Sequence, residues 1–293
     1  MSKILKPNSC GNNSSQRAKK ISEPFLSANQ FQIKELEISL NTKCNLRCIN
    51  CGFKIPDQPE PFSHGTGINE HIDSLLTLKK LGVRIGKIVL VGGEVALHKN
   101  LNSDIKKINE VMIANQIEVV TNGLYPQGIN SDTLKLIDSL VISDYIRTES
   151  FETIWEKYVK SLNCKFHINF RRKDSWDDWT TPVLMSRETT QQAWTTCFYR
   201  NYDITLERGR LFSCSRIAKN LKEDEGLKIS EITQIIDIER YLNSNVPRKS
   251  CYTCSPVAGL PEVIVAKQHD EKEVALSKAA IKHMELSIQG VRQ

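Results

Sequence analysis

The most regular pattern in the chain is an alternation of hydrophobic and polar residues over residues 35–41. The hydrophobic positions are Leu36, Ile38 and Leu40, and the polar positions are Glu37, Ser39 and Asn41. Successive side chains of a strand point to opposite faces, so the pattern predicts a strand with one hydrophobic and one polar face. Both faces can be buried in an α/β barrel, and we expect the polar face to point toward a ligand-bearing interior.

Hydrophobic runs predict four further strands, at 87–91, 116–120, 140–142 and 164–170. Hydrophobic residues at helical spacing predict helices between the strands, at 69–81, 101–115, 131–138 and 150–162. Strands that alternate with helices indicate an α/β fold with a parallel sheet or barrel, whose chemistry lies at the carboxyl ends of the strands.

The pattern changes after about residue 180. Residues 202–206 and 210–214 flank a turn that contains Gly209, which predicts a β-hairpin, and a helix is expected at 229–243. We therefore expect four parts: a disordered polar arm, an α/β barrel, a small second domain and a helical tail. Their ranges are 1–30, 31–185, 186–260 and 261–293.

Composition is that of a soluble globular protein of 293 residues, with 40% hydrophobic and 25% charged residues. No hydrophobic run approaches the roughly 20 residues needed to cross a bilayer, and the polar N-terminus lacks the hydrophobic stretch of a secretory signal. We therefore expect a cytoplasmic protein without a membrane partner. The net charge is +6, and the Lys and Arg residues are spread along the chain. Nucleic-acid binding would need them to be clustered, so it is disfavoured.

Nine cysteines are many for such a chain, and without a secretory signal they indicate metal or redox use rather than a disulfide framework. Three form a C-x3-C-x2-C motif directly after the first strand: Cys44, Cys48 and Cys51. Four lie in the second half: Cys197, Cys214, Cys251 and Cys254. The remaining two are Cys10 and Cys164.

Three thiolates on one loop can hold three irons of a 4Fe–4S cluster and leave the fourth iron open. With its position after a first strand, the motif resembles that of the radical S-adenosylmethionine (radical SAM) superfamily. The resemblance implies a partial (β/α) barrel of about five to six parallel strands. It also implies that the open iron binds S-adenosylmethionine, which the reduced cluster cleaves to a 5′-deoxyadenosyl radical. The alternative is a zinc loop, but zinc prefers four ligands and only His64 lies nearby.

Two further motifs support the resemblance. Gly92, Gly93 and Glu94 follow the second predicted strand and resemble the family's GGE motif, which receives the amino group of the cofactor. Thr121 and Asn122 begin a TNG sequence after the third strand, similar to one that often lies near the cofactor. The chain departs from many members in having Asn50 before the third cysteine, where they carry an aromatic residue.

The fifth predicted strand also has a polar face. We expect His167, Asn169 and Arg171 to line the barrel interior, where they could bind the cofactor carboxylate or a polar substrate. A solvated sheet edge is the alternative. By the same alternation Cys164 should point toward the helices and belong to the core. No catalytic side chain is assigned.

The second group of four cysteines, with its hairpin, helix and C-x2-C pair, resembles the Twitch domain, the short form of the SPASM extension of radical SAM enzymes. That resemblance implies a fully ligated auxiliary 4Fe–4S cluster, which could accept an electron from a substrate radical. A structural zinc site with four cysteine ligands is the alternative.

The resemblance implies a radical SAM oxidoreductase that abstracts hydrogen from a small polar substrate, of sugar or aminocyclitol type, in a two-electron oxidation. A flavodoxin- or ferredoxin-like protein would supply the first electron. Three alternatives stay open: a peptide-modifying maturase, an epimerase, and a zinc- or cluster-binding regulatory protein without catalysis. An epimerase must return a hydrogen atom, usually from a thiol, and neither Cys10 nor Cys164 is well placed for this.

Overall fold

The computed structural model describes residues 30–55, 58–62, 65–145, 149–223 and 225–268. Within them, one mixed sheet contains eight strands in the order β5-β4-β3-β2-β1-β7-β8-β9. Their bounds are β1 Phe31–Ser39, β2 Val83–Val91, β3 Ala114–Thr121, β4 Ser139–Ser143, β5 Ile168–Arg171, β7 Thr205–Glu207, β8 Arg210–Phe212 and β9 Leu227–Lys228. Two short strands, β6 Ser175–Trp176 and β10 Val263–Ile264, form a separate antiparallel pair.

Helices connect the strands in the order that the hydrophobic spacing predicts. Their bounds are α1 Asn69–Lys80, α2 Leu101–Val111, α3 Ser131–Leu136, α4 Glu149–Ser161, α5 Arg187–Thr196, α6 Tyr199–Tyr202, α7 Ser215–Ala218 and α8 Ile235–Leu242. The first helices pack on one face of the sheet through buried residues such as Leu75, Ile105 and Trp155. This one-sided covering is how a sheet of parallel strands buries its hydrophobic face.

The α/β fold is confirmed. Five neighbouring strand pairs, from β5 through β7, are parallel, so six parallel strands form the main body of the sheet in the described residues. The sheet stays open, because its antiparallel extension β8-β9 does not pair with β5 at the far edge. This arrangement is a partial rather than a closed barrel.

The two faces of β1 behave as the alternation predicts. The hydrophobic residues Leu36, Ile38 and Leu40 are completely buried in the core. On the opposite face, Glu37 lines a large cavity, and Ser39 and Asn41 are buried near the end of the strand. The polar interior face is therefore a property of the fold.

Several predicted element bounds are wrong, and the structure gives a reason for three of them. The fifth strand covers Ile168–Arg171 rather than 164–170, because β4 is only five residues long and pairs with β5 from Leu140↔Ile168 to Ser143↔Arg171. Helix α2 ends at Val111 rather than at 115, because Met112 takes a left-handed conformation with φ of 53°. The helix expected at 229–243 begins only at Ile235, after an extended Gln234.

The predicted hairpin is confirmed as β7 and β8, joined by Arg208 and Gly209 with φ of 52° and 64°. Two successive positive φ values are typical of the type I′ turn that matches strand twist. The sequence pattern did not indicate that β7 would also pair in parallel with β1 and so extend the main sheet. The expected arm lies outside the described residues except for residue 30, and the expected tail lies outside them beyond residue 268.

Candidate active site

A cavity of about 570 Å³ lies on the polar face of the sheet and reaches the carboxyl ends of its parallel strands. It brings together residues that the sequence places far apart. The predicted metal ligands that line it are Cys44, Cys48 and Cys51. The predicted cofactor-binding residues that line it are Gly92, Gly93, Thr121, Asn122 and Arg171.

The three cysteines lie on a tightly folded loop. The amide of Cys51 donates to the carbonyl of Cys48 at 3.3 Å, and the amide of Leu46 donates to the Cys44 sulfur at 3.4 Å. Burial raises the pKa of Cys44 to about 12 and that of Cys48 to about 11. Without a metal both side chains are therefore neutral thiols, and binding of iron would release their protons.

The three cysteines that line the cavity supply the soft thiolate ligands that iron–sulfur clusters use. Among the described residues, no three Cys, His, Asp or Glu side chains are placed to hold one metal ion. A 4Fe–4S cluster requires a different arrangement, with each thiolate on a separate iron. Three soft thiolates around a cavity large enough for a small ligand meet that requirement.

The two glycines of the GGE sequence bring the end of β2 against the segment that leads into the cysteine loop. The amide of Gly93 donates to the carbonyl of Asn41 at 2.9 Å, and the amide of Glu94 donates to the carbonyl of Lys43 at 2.6 Å. A Cβ atom on residue 93 would lie 2.2 Å from the Lys43 oxygen, and Gly92 has φ of 146°. Only glycine permits this close approach.

Glu94 connects the ends of β2 and β3. One carboxylate oxygen accepts hydrogen bonds from the Ala96 amide at 2.9 Å and from the Thr121 hydroxyl, and the other accepts from the Asn122 amide at 2.7 Å. Burial raises the pKa of Glu94, while these hydrogen bonds oppose the increase. Glu94 is buried and is not among the cavity-lining residues, so binding of the cofactor amino group by its carboxylate stays a prediction.

Asn122 joins the TNG sequence to the cysteine loop. Its side-chain amide donates to the Asn45 side chain at 2.7 Å and accepts a hydrogen bond from the Leu124 amide at 3.0 Å. Because Asn45 follows Cys44 directly, the ends of β2 and β3 and the cysteine loop form one hydrogen-bonded unit.

Of the three polar residues expected on strand five, the structure brings only Arg171 to the cavity, where it donates to the Ser143 hydroxyl at 2.8 Å. His167 and Asn169 are exposed and are not among the cavity-lining residues. The reason is that β5 forms the edge of the sheet and the cavity reaches only its carboxyl end. Cys164 is buried in the hydrophobic core, as expected, although it lies before the start of β5.

The sequence pattern did not identify the acidic residues of the cavity as a group. Glu35, Glu37 and Asp203 all line the cavity. Burial, followed by the negative charge of Asp203, raises the pKa of Glu37 to about 8. Burial and the charge of Glu35 raise the pKa of Asp203 to about 6. Glu37 was visible as part of the polar face of β1, whereas nothing near Asp203 in the sequence marked it.

Aromatic side chains from several segments also line the cavity. They are Phe53, Tyr145, Trp176, Trp179, Phe198 and Tyr199. Phe53 lies near Lys219, with the ammonium nitrogen 5.1 Å from the ring centroid. Phe53 lies two residues after Cys51, and the other five come from distant segments of the chain.

The second group of cysteines also comes together. Cys197, Cys214, Cys251 and Cys254 surround a gap of about 20 Å³. Burial raises the pKa of Cys251 to about 12 and raises those of Cys214 and Cys254. The gap is only slightly larger than the roughly 10–15 Å³ that one water needs, and a 4Fe–4S cluster is much larger than a water. Binding of a cluster would therefore have to move the thiols apart. Tyr199 lines both this gap and the large cavity.

Comparison with known proteins finds curated relatives for part of the chain. No protein-family model matches the chain. The GTP 3′,8-cyclase of Desulforamulus reducens is 28% identical over 146 residues, which are 46% of this chain and 44% of that protein. The GTP 3′,8-cyclase of Campylobacter jejuni (strain RM1221) is 33% identical over 101 residues, 34% of this chain and 31% of that protein. The chain thus spans less than half the length of these curated relatives.

The sequence relatives, the open parallel sheet and the cysteine loop all indicate the same kind of protein. The chain has a radical SAM core. The cofactors of such a core are S-adenosylmethionine and a 4Fe–4S cluster. Within the part of this radical SAM protein that the structure describes, no helix is long and apolar enough to cross a membrane.

Solved structures give weaker similarity. A crystal structure of BtrN in complex with AdoMet and 2-DOIA is 14% identical, covers 86% of this chain and 89% of its own, and has a TM-score of 0.47. A structure of Streptococcus suis SuiB bound to precursor peptide SuiA is 12% identical, covers 88% of this chain and 78% of its own, and has a TM-score of 0.38.

Proposed function

We propose that this protein reductively cleaves S-adenosylmethionine at Cys44, Cys48 and Cys51 and oxidises a small polar molecule, of sugar or aminocyclitol type, by two electrons. A second 4Fe–4S cluster, held by the four cysteines of the second group, would accept one of those electrons. The observation that carries the proposal is the cavity lined by the first three cysteines, which shares the Tyr199 side chain with the second cysteine gap.

The size of the cavity favours a small substrate. Its 570 Å³ lies within the roughly 300–1,000 Å³ of ligand pockets in general. S-adenosylmethionine would fill part of this space, which leaves room for a small molecule. Charged and aromatic side chains line the remainder and suit a substrate with several hydroxyl groups.

Oxidation of an alcohol to a ketone removes a hydrogen atom from carbon, a proton from oxygen and one further electron. When bound, the first cluster and S-adenosylmethionine supply the 5′-deoxyadenosyl radical that takes the hydrogen atom. Asp203, with a pKa of about 6, is ionised at neutral pH and can accept the proton. Tyr199 separates the cavity from the second cysteine group, so the electron has a short path to an acceptor there.

The curated relatives raise a second candidate, cyclisation of GTP. The match to GTP 3′,8-cyclases favours it, whereas the acidic side chains of the cavity favour a substrate with hydroxyl or amino groups. Glu35 and Asp203 line the cavity together with Arg171 and Lys173, and the buried Lys219 is already paired with Glu207. Carboxylates repel a triphosphate, whereas they can bind hydroxyl or amino groups of a polyol.

Anaerobically reconstituted, reduced protein tests the proposal. With S-adenosylmethionine it should form 5′-deoxyadenosine, and Cys44→Ala should abolish this product because the first cluster is lost. Cys251→Ala should still cleave S-adenosylmethionine but should not turn over substrate. The substrates to compare are sugars and aminocyclitols, with GTP and a candidate precursor peptide in parallel.

Three results would contradict the proposal. Zinc instead of iron in metal analysis, with no 5′-deoxyadenosine, would indicate a regulatory protein. Normal product formation by Cys251→Ala would exclude the second cluster as electron acceptor. Turnover of GTP or peptide, but of no sugar or aminocyclitol, would replace the substrate class.

A further inference from the structure

A short segment near the end of the described chain crosses the first cysteine loop. Its strand β10 pairs with β6 through Val263↔Trp176 and Ile264↔Ser175. After a turn at Ala266, which has φ of 51°, Gln268 forms an isolated antiparallel bridge with Cys48. We call residues 263–268 the strap. More than 200 residues separate it from the loop in sequence, so no local motif indicates this contact.

The main chain of the strap holds the loop at one point, where the Ile49 amide donates to the Lys267 carbonyl at 2.8 Å. The Gln268 side chain makes three further contacts. Its amide oxygen accepts from the Arg47 amide at 2.7 Å. Its amide nitrogen donates to the Ala266 carbonyl at 2.6 Å and to the Cys48 sulfur at 3.2 Å.

These contacts fix the orientation of the Gln268 amide. If its oxygen and nitrogen were exchanged, the NH₂ group would face the Arg47 amide, which is also a donor, and the oxygen would face the Ala266 carbonyl. Both contacts would be repulsive. An N–H group therefore points at the Cys48 sulfur.

We propose that Gln268 is a positioning residue for the first cluster: its side chain donates an N–H···S hydrogen bond to Cys48 and raises the reduction potential of that cluster. The proposal rests on the proposed role of Cys48 as an iron ligand. Reduction adds a negative charge to the cluster and its sulfurs, so a hydrogen-bond donor stabilises the reduced state more than the oxidised state.

A redox titration of the reconstituted protein, followed by electron paramagnetic resonance, tests this role. The signal of the first cluster is assigned by its change on addition of S-adenosylmethionine. Gln268→Leu removes the donor, and Gln268→Glu keeps an acceptor for Arg47 but replaces the donor by a negative charge. Lys267→Ala is the matched control, because only the main chain of Lys267 contacts the loop.

At the wild-type midpoint potential, we expect the ratio of reduced to oxidised cluster in Gln268→Leu to fall about fivefold, the factor of a typical hydrogen bond. Gln268→Glu should show a larger decrease, and Lys267→Ala should match the wild type. A change in folding or iron content alone would not change the midpoint potential of the cluster.

An unchanged midpoint in both Gln268 variants would overturn the proposal. If Gln268→Leu loses its iron, Gln268→Glu decides the question, and a midpoint at or above the wild-type value would overturn it. A wild-type protein without any signal that responds to S-adenosylmethionine would instead refute the proposed function, and with it the premise of this inference.

Discussion

At the scale of single residues, Gly93 and Glu94 connect the cysteine loop to the sheet. The amides of both residues donate to carbonyls of the segment that leads into the loop, and the Glu94 carboxylate joins β2 to the end of β3. The GGE sequence therefore has a structural role in this chain, whether or not it also contacts the cofactor. The role depends on the absence of a side chain at residue 93.

We expect Gly93→Ala to lower the free energy of unfolding by about 3 kcal/mol, because the new Cβ meets the Lys43 carbonyl carbon and oxygen. Gly67→Ala is the control for an added Cβ without a close contact: its φ is 52°, and its Cβ would meet nothing within 4 Å. That change should cost about 1 kcal/mol. Urea unfolding followed by tryptophan fluorescence measures both, and equal losses would exclude the close contact as the cause.

At the scale of elements, a buried ion pair joins the segment after α7 to the main sheet. The Lys219 ammonium pairs with the Glu207 carboxylate at the end of β7, and it donates to the Ser39 hydroxyl at the end of β1 at 2.9 Å. The side chains of Lys219 and Glu207 are 3% and 1% exposed. The hairpin and α7, which lead to the second cysteine group, are thus held against the strand that precedes the first.

Lys219→Met should destabilise the protein by about 3 kcal/mol, because it leaves the buried Glu207 without this partner. Lys228→Met is the matched control: its pair with Glu231 is exposed, and its loss should cost under about 1 kcal/mol. The double variant Lys219→Met/Glu207→Gln should recover part of the loss in urea unfolding. A double variant less stable than Lys219→Met would contradict a charge-pairing role.

At the scale of the whole molecule, the cavity carboxylates make stability depend on pH. The pKa of Glu37 is about 8 in the folded protein and 4.5 for a free glutamate side chain, so the native state binds the extra proton between these values. The contribution of Glu37 to stability therefore falls as pH rises from about 5 to about 8 and does not change above that range. Asp203 contributes in the same direction, and the two groups titrate as a pair.

Glu37→Gln should remove most of this dependence. Between pH 5.5 and 8.5 we expect wild-type unfolding free energy to fall by roughly 2 kcal/mol more than that of the variant, allowing for solvent in the cavity. Thermal unfolding at the two pH values measures the difference. Glu110→Gln, an exposed change on α2, is the control and should behave as the wild type. Parallel pH curves for wild type and Glu37→Gln would show that Glu37 does not bind the proton.

Much of the molecule could be predicted wherever the signal was local. The spacing of Cys44, Cys48 and Cys51, the alternation along β1 and the Arg208–Gly209 turn each depend on neighbouring residues only. Predictions weakened where an element depended on a distant partner. The fifth strand is shorter than its alternation predicted, because β4 is too short to pair with residues 164–167. Of its polar residues, only Arg171 lies at the end that reaches the cavity.

The sequence by itself determined the alternation of strands and helices, the loop of three cysteines and the two glycines that allow β2 to approach it. These features follow from side-chain periodicity, ligand spacing and backbone freedom, and each of these depends only on a few neighbouring residues. Only the tertiary structure decided that β7 pairs with β1, that Asp203 and Tyr199 line the same cavity as Cys44, and that Gln268 contacts Cys48. Those contacts join segments far apart in the chain, and the packing of the whole sheet brings them together.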